Sequence, residues 1–122
     1  MLNLDTHVLL FSLTGELRPA ERRLLEADRW GISAIVLWEI AKLAQRGRID
    51  FGLDDRDLSQ VLSSVHVWPL SREVAAASTQ LDVEGDPADE LIAATSVVHG
   101  VPLLTRDKRL RRSKLVPLAS AR

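Results

Sequence analysis

Short apolar runs recur along the chain, each followed by a stretch with helical character, and this alternation is the tightest constraint on the fold. Leu2–Leu4 ends at Asp5 and reads as a buried strand. Residues 30–34, 65–70 (stopping at Pro69) and 101–104 are the next strand candidates, and residues 115–118 are a last one, kept to a sheet edge by Pro117. Helices are expected at 8–13, at 20–28 behind Pro19, at 35–46 between a Ser33 cap and Gly47, and at 54–65. Two more are expected at 71–81 and at 88–99, the last opened by Asp86-Pro87 and closed by Gly100. Strands alternating with helices predict an α/β chain: a three-layer α/β/α sandwich around a short, mainly parallel sheet.

The 122 residues suit one domain, taken as 1–122, and 46% hydrophobic residues are enough for one core. With no cysteine, disulfides, thiolate zinc sites and Cys nucleophiles are excluded together. No apolar run is long enough to span a bilayer, and no signal-like segment precedes the first strand, so a cytoplasmic location is expected. The net charge of −1 does not announce a nucleic-acid binder. Its distribution says more. Acids crowd the stretch from Asp82 to Glu90, and bases crowd the stretch from Arg106 to Lys114. Two solvated faces would be the plain reading. A phosphodiester nuclease would want both, acids for a metal and bases for phosphates.

In open parallel sheets, ligands bind beyond the carboxyl ends of the strands. Asp5 stands at such an end, and Asp107 follows Leu104 after Thr105 and Arg106. Either could equally cap a turn or a helix. Glu39 has Ile35 and Leu43 as helical neighbours, which puts it at the edge of a buried stripe, where a charge is costly unless paired. Its plain alternative is a surface pair with Lys42. Asp86-Pro87-Ala88-Asp89 has the form of a cap, a first-turn proline and an N3 acid, so capping alone could explain both aspartates. Asp89 nevertheless shares a face with Ala93, and Ala93-Ala94 permits close approach to a strand; Asp86 is left as the cap. Clustered carboxylates raise one another's pKa, and a divalent cation removes that penalty. His7, His66 and His99 have no metal-ligand spacing, so the donors are all oxygen, pointing to Mg²⁺ or Mn²⁺. Trp30, Trp38 and Trp68 read as core or subunit-interface residues rather than base-stacking platforms.

These residues resemble a known family. Leu4-Asp5-Thr6-His7-Val8-Leu9-Leu10 looks like the opening of PIN domains, above all the VapC-type toxins. Leu37-Trp38-Glu39-Ile40-Ala41 resembles their glutamate-bearing helix. The stretch from Gly85 to Thr95 resembles the one carrying the third acid, and Leu103-Leu104-Thr105-Arg106-Asp107 the one carrying the fourth. The matches run nearly end to end and in the family's order. The resemblance implies a PIN-like fold, with Asp5, Glu39, Asp89 and Asp107 as the catalytic quartet and Thr6 and Thr105 as polar supports. It also implies an endoribonuclease needing Mg²⁺ or Mn²⁺, a homodimer, and a cognate antitoxin that inhibits by direct binding.

On this reading Asp5, Asp89 and Asp107 hold the metal. Glu39 orients or deprotonates the attacking water, and the cut leaves a 5′-phosphate and a 3′-hydroxyl. Arg106, Lys108, Arg111 and Arg112 are expected to hold RNA phosphates. Glu90 departs from the pattern, since relatives often carry Arg after the third acid. Two rivals remain: a PIN-fold binding module without activity, and a Mg²⁺-dependent phosphotransfer domain. The latter lacks the second aspartate that a phosphatase motif would place at position 7.

Overall fold

A computed structural model describes residues 1–120. Strand β1 (Leu2–Leu4) leads into helix α1 (Thr6–Thr14) and helix α2 (Pro19–Glu26). Strand β2 (Trp30–Ser33) is followed by α3 (Ala34–Gln45) and α4 (Arg56–Leu62). Strand β3 (His66–Trp68) is followed by α5 (Arg72–Ser78) and α6 (Pro87–His99), and β4 (Leu103–Leu104) by a single 3₁₀ turn, Leu110–Arg112.

The four strands form one sheet in the order β3-β2-β1-β4, and every pairing is parallel. The chain steps outward from β1 to β2 to β3, then returns across the sheet to place β4 on the other side of β1. The rule that such parallel crossovers are right-handed puts the helices of the outward steps and those of the return on opposite faces of the sheet. Strand β1 is accordingly buried at all three positions. Leu4, Leu9, Ile32, Ile40, Ile92 and Leu104 supply much of the core.

Three local details set the frame for the site. Asp5 caps α1 by accepting from the Thr6 amide at 2.8 Å, so β1 turns into α1 at that residue. Asn3, fully buried, donates through Nδ2 to the Ile92 carbonyl at 3.0 Å and to Ser96 Oγ at 2.9 Å, which fixes α6 against β1. Gly31 lies under the Trp68 ring, where an added Cβ would fall 2.4 Å from a ring carbon. Only glycine lets β2 and Trp68 approach so closely.

The elements differ from expectation mainly at their ends. The helix expected at 54–65 begins at Arg56 because the Asp55 carboxylate accepts from the Leu58 amide and fixes the cap there. The edge strand expected at 115–118 is reduced to one parallel bridge, Leu103 to Leu118, because Pro117 has no amide hydrogen to extend a ladder. Asp86 occupies the N-cap position of α6, but its side chain makes no capping bond.

Candidate metal centre

The order of the strands creates a switch point between β1 and β4, and ligand sites in open parallel sheets form beyond the carboxyl ends of the strands at such a point. Asp5 leaves β1 there, and Thr105 and Asp107 leave β4. Thr105 joins the two acids. Its hydroxyl donates to Asp5 Oδ2 at 2.5 Å and accepts from the Asp107 amide at 3.0 Å, so the Asp5 carboxylate and the Asp107 backbone lie two hydrogen bonds apart. Asp107 Oδ1 accepts from the amides of Arg109 at 2.8 Å and Leu110 at 3.2 Å, so it also caps the turn that follows. Asp5 and Asp107 both cap the turn or helix that follows them.

Glu39 reaches the same place from α3. Its Oε1 accepts the hydroxyl of Thr6, the residue next to Asp5. Lys42, its expected surface partner, instead donates to Gln45 and lies over the Trp38 ring. Asp89 comes from the first turn of α6. Thr6 and Thr105 are both buried, and the hydroxyl of each donates to a carboxylate, Glu39 and Asp5 respectively.

The electrostatics tie the four acids into one group. Asp89 is pushed up to about 7, first by burial and then by the charges of Asp5, Glu39, Asp107 and Asp86. Burial also raises Asp5, against the hydrogen bonds of Thr105 and Thr6 and the charge of His7, with Asp107 adding to the rise. Glu39 is raised by burial and by Asp5, while Thr6 and His7 work the other way. His7 lies two residues beyond Asp5. It is exposed, and its charge acts on both Asp5 and Glu39.

These residues fit a hard divalent cation in their chemistry: carboxylate oxygens, desolvated and mutually repelling, that a dication would hold ionised. Among the described residues no three Asp, Glu or His side chains stand close enough to make a finished metal cage.

The basic run divides. Arg106 was expected on the RNA surface, but it is tied inward. Its Nε donates to Glu21 Oε2 at 2.8 Å, its Nη2 donates to Glu21 Oε1 at 2.7 Å and to the Glu16 carbonyl at 2.9 Å, and its guanidinium lies over the Phe11 ring. Glu21 is 4% exposed, and the Arg106 guanidinium beside it holds its carboxyl below the usual range. The pair pins the Thr105–Asp107 loop to α2. No local signal in the sequence foretells it, because the two partners lie 85 positions apart. Lys108, Arg111 and Arg112 are exposed. Trp68 is buried and Trp30 donates to the Leu25 carbonyl, whereas Trp38 is 53% exposed.

Fold and site together define a parallel α/β domain with a carboxylate group at its switch point. The family model of the PIN domain matches residues 3–114, and the chain belongs to that family. It is 35% identical over 114 residues to Ribonuclease VapC22 of Mycobacterium tuberculosis (strain ATCC 25618 / H37Rv), an alignment covering 88% of each chain. A toxin-antitoxin complex from Klebsiella pneumoniae superposes with a TM-score of 0.74 at 21% identity, covering 100% of this chain and 98% of the other. FitAcB from Neisseria gonorrhoeae does so at 0.72 and 22%, covering 99% and 98%.

Proposed function

We propose that this protein is a divalent-metal-dependent endoribonuclease, the toxin of a toxin–antitoxin pair, acting through Asp5, Glu39, Asp89 and Asp107. The observation that carries the reading is the shared electrostatics of these four acids at the switch point, with Asp89 raised to about 7 by burial and by the other three together with Asp86. The likeness to a named ribonuclease over most of the chain supports the activity. The toxin–antitoxin character of a structural relative supports an antitoxin partner. The whole chain, 1–122, acts as one domain in this reading, in the cytoplasm. The exposed Trp38 suits a homodimer contact.

Asp5, Asp89 and Asp107 would hold Mg²⁺ or Mn²⁺. When bound, the cation lowers the pKa of a water and stabilises charge on the phosphate. The chain's own residues do the rest. Thr105 and the Thr6 amide fix both oxygens of Asp5. Thr6 orients Glu39 through its hydroxyl, and Glu39, raised by burial and by Asp5, is placed to take a proton from the attacking water. Exposed cations after β4, Lys108 and Arg111, attract the RNA backbone.

Analysis of the cut ends tests the proposal. Purified protein with Mg²⁺ or Mn²⁺ should leave 5′-phosphates and 3′-hydroxyls, EDTA should stop cleavage, and His7→Ala should still cut. Cyclic phosphates, or cleavage that survives EDTA, would overturn it. A binding module without activity would cut nothing under any of these conditions.

A further inference from the structure

We propose that Arg18, Lys108 and Arg111 form a subsite for the RNA phosphate next to the one that is cut. The inference rests on the ribonuclease reading above and goes on to say where the substrate chain runs.

A cavity of about 450 Å³ lies between the start of α2 and the segment after β4, lined by Arg18, Glu21, Thr105, Arg106, Lys108 and Arg111 among others. Its size falls within the range of small-ligand sites. Its one carboxylate, Glu21, is held by two N–H groups of Arg106 and by the Arg18 amide, so four cationic side chains line the cavity against a single acid. Arg18, Lys108 and Arg111 are all exposed and able to meet a polyanion. Arg111 is also aimed: its Nη1 donates to the Thr105 carbonyl at 3.2 Å. The hydroxyl of that same Thr105 holds Asp5. One residue is therefore a wall of the cationic cavity on one side and part of the acid site on the other. An RNA strand with a phosphate at the acids brings its neighbouring phosphate to this cavity.

Two other bases of the run line a different cavity. Arg109 and Arg112 line a separate cavity with Val83 and Glu84, where a carboxylate offsets them and no residue of the acid site takes part. The 3₁₀ turn thus separates cations that track RNA from cations that do not. Arg18, which lies far from the basic run in sequence, joins the first group.

The test uses the full chain and a short single-stranded RNA that it cuts. Binding is followed over a salt series in EDTA, and KM and kcat are measured with Mg²⁺. Arg18→Ala and Lys108→Ala should each reduce the salt slope by about 0.7, the release expected for one phosphate contact on a single strand. Each should raise KM roughly tenfold and leave kcat within about twofold, the signature of lost ground-state binding. Arg109→Ala and Arg112→Ala should leave the slope unchanged. An RNA with a neutral methylphosphonate beside the cut should lose affinity in the parent and lose less in Arg18→Ala, a less-than-additive pair. Unchanged slopes in the Arg18 and Lys108 variants, or equal losses in all four, would overturn the subsite while leaving the nuclease reading intact. So would variants that lose only inhibition by an acidic protein partner. A parent that cuts no RNA overturns both.

Discussion

In the proposed reading Glu39 is the base that takes a proton from the attacking water. It sits half-buried on α3, its carboxyl is raised by that burial and by Asp5, and the Thr6 hydroxyl fixes one oxygen. A base works best when its pKa lies nearer the working pH, and geometry then decides whether it can reach the proton. Glu39→Gln should therefore lower kcat by about a hundredfold or more while changing KM little, because the amide keeps the shape and the Thr6 contact but cannot take a proton. Rapid-quench measurement of the cleavage step separates the two constants. A variant that loses RNA affinity and keeps its turnover would make Glu39 a binding group. Glu39 stood out in the sequence because a charge beside an apolar stripe is conspicuous, whereas Asp5, Asp89 and Asp107 could each also be read as caps. Arg106 misled for the opposite reason. A basic residue among bases looks solvent-facing, and its partner, Glu21, is 85 positions away.

At the scale of elements, periodicity and caps foretold the order, but not how closely the elements approach one another. Both outcomes appear in β2. Its apolar run was plain from the sequence, whereas Gly31 gave no sign that Trp68 of β3 would lie across it. A Cβ at Gly31 would meet the ring at 2.4 Å, and backbone and ring are both confined by the core. Gly31→Ala should cost roughly 1–3 kcal/mol, the usual range for overpacking. In a domain of this size that lowers Tm by several degrees for each kcal/mol. Calorimetry of Gly31→Ala beside the double variant Gly31→Ala/Trp68→Leu checks the cause, since removing the ring should return part of the loss. Equal Tm for the parent and Gly31→Ala would show that the strand and ring can separate freely. The last strand failed for a related reason: an apolar run needs amide donors in register to make a ladder, and Pro117 removes one where Leu118 reaches Leu103.

For the whole molecule, the acid site makes stability depend on pH in a direction opposite to most carboxylates. Asp89 has an ordinary value of 3.8 and is raised to about 7 in the folded protein, by burial first and by the neighbouring acids after it. Between those values the folded state binds more protons than the unfolded chain, so stability falls as pH rises. The contribution is fully present below about 4 and is lost as pH passes about 7. Asp5 and Glu39 are raised as well and act in the same direction. Glu21 acts oppositely: Arg106 lowers its pKa, so its contribution is present at neutral pH and lost in acid. Subtracting a variant isolates the Asp89 share from this background. The Tm of metal-free parent minus that of Asp89→Asn should decline from about pH 4 to about pH 7 and level off above it. A divalent cation competes with those same protons, so the rise in Tm on adding Mg²⁺ or Mn²⁺ should grow over that interval and shrink in Asp5→Asn. Parallel curves for parent and Asp89→Asn in EDTA would mean that Asp89 titrates normally and lies apart from the other acids. A metal response that ignores both pH and Asp5 would place the cation away from the ends of β1 and β4.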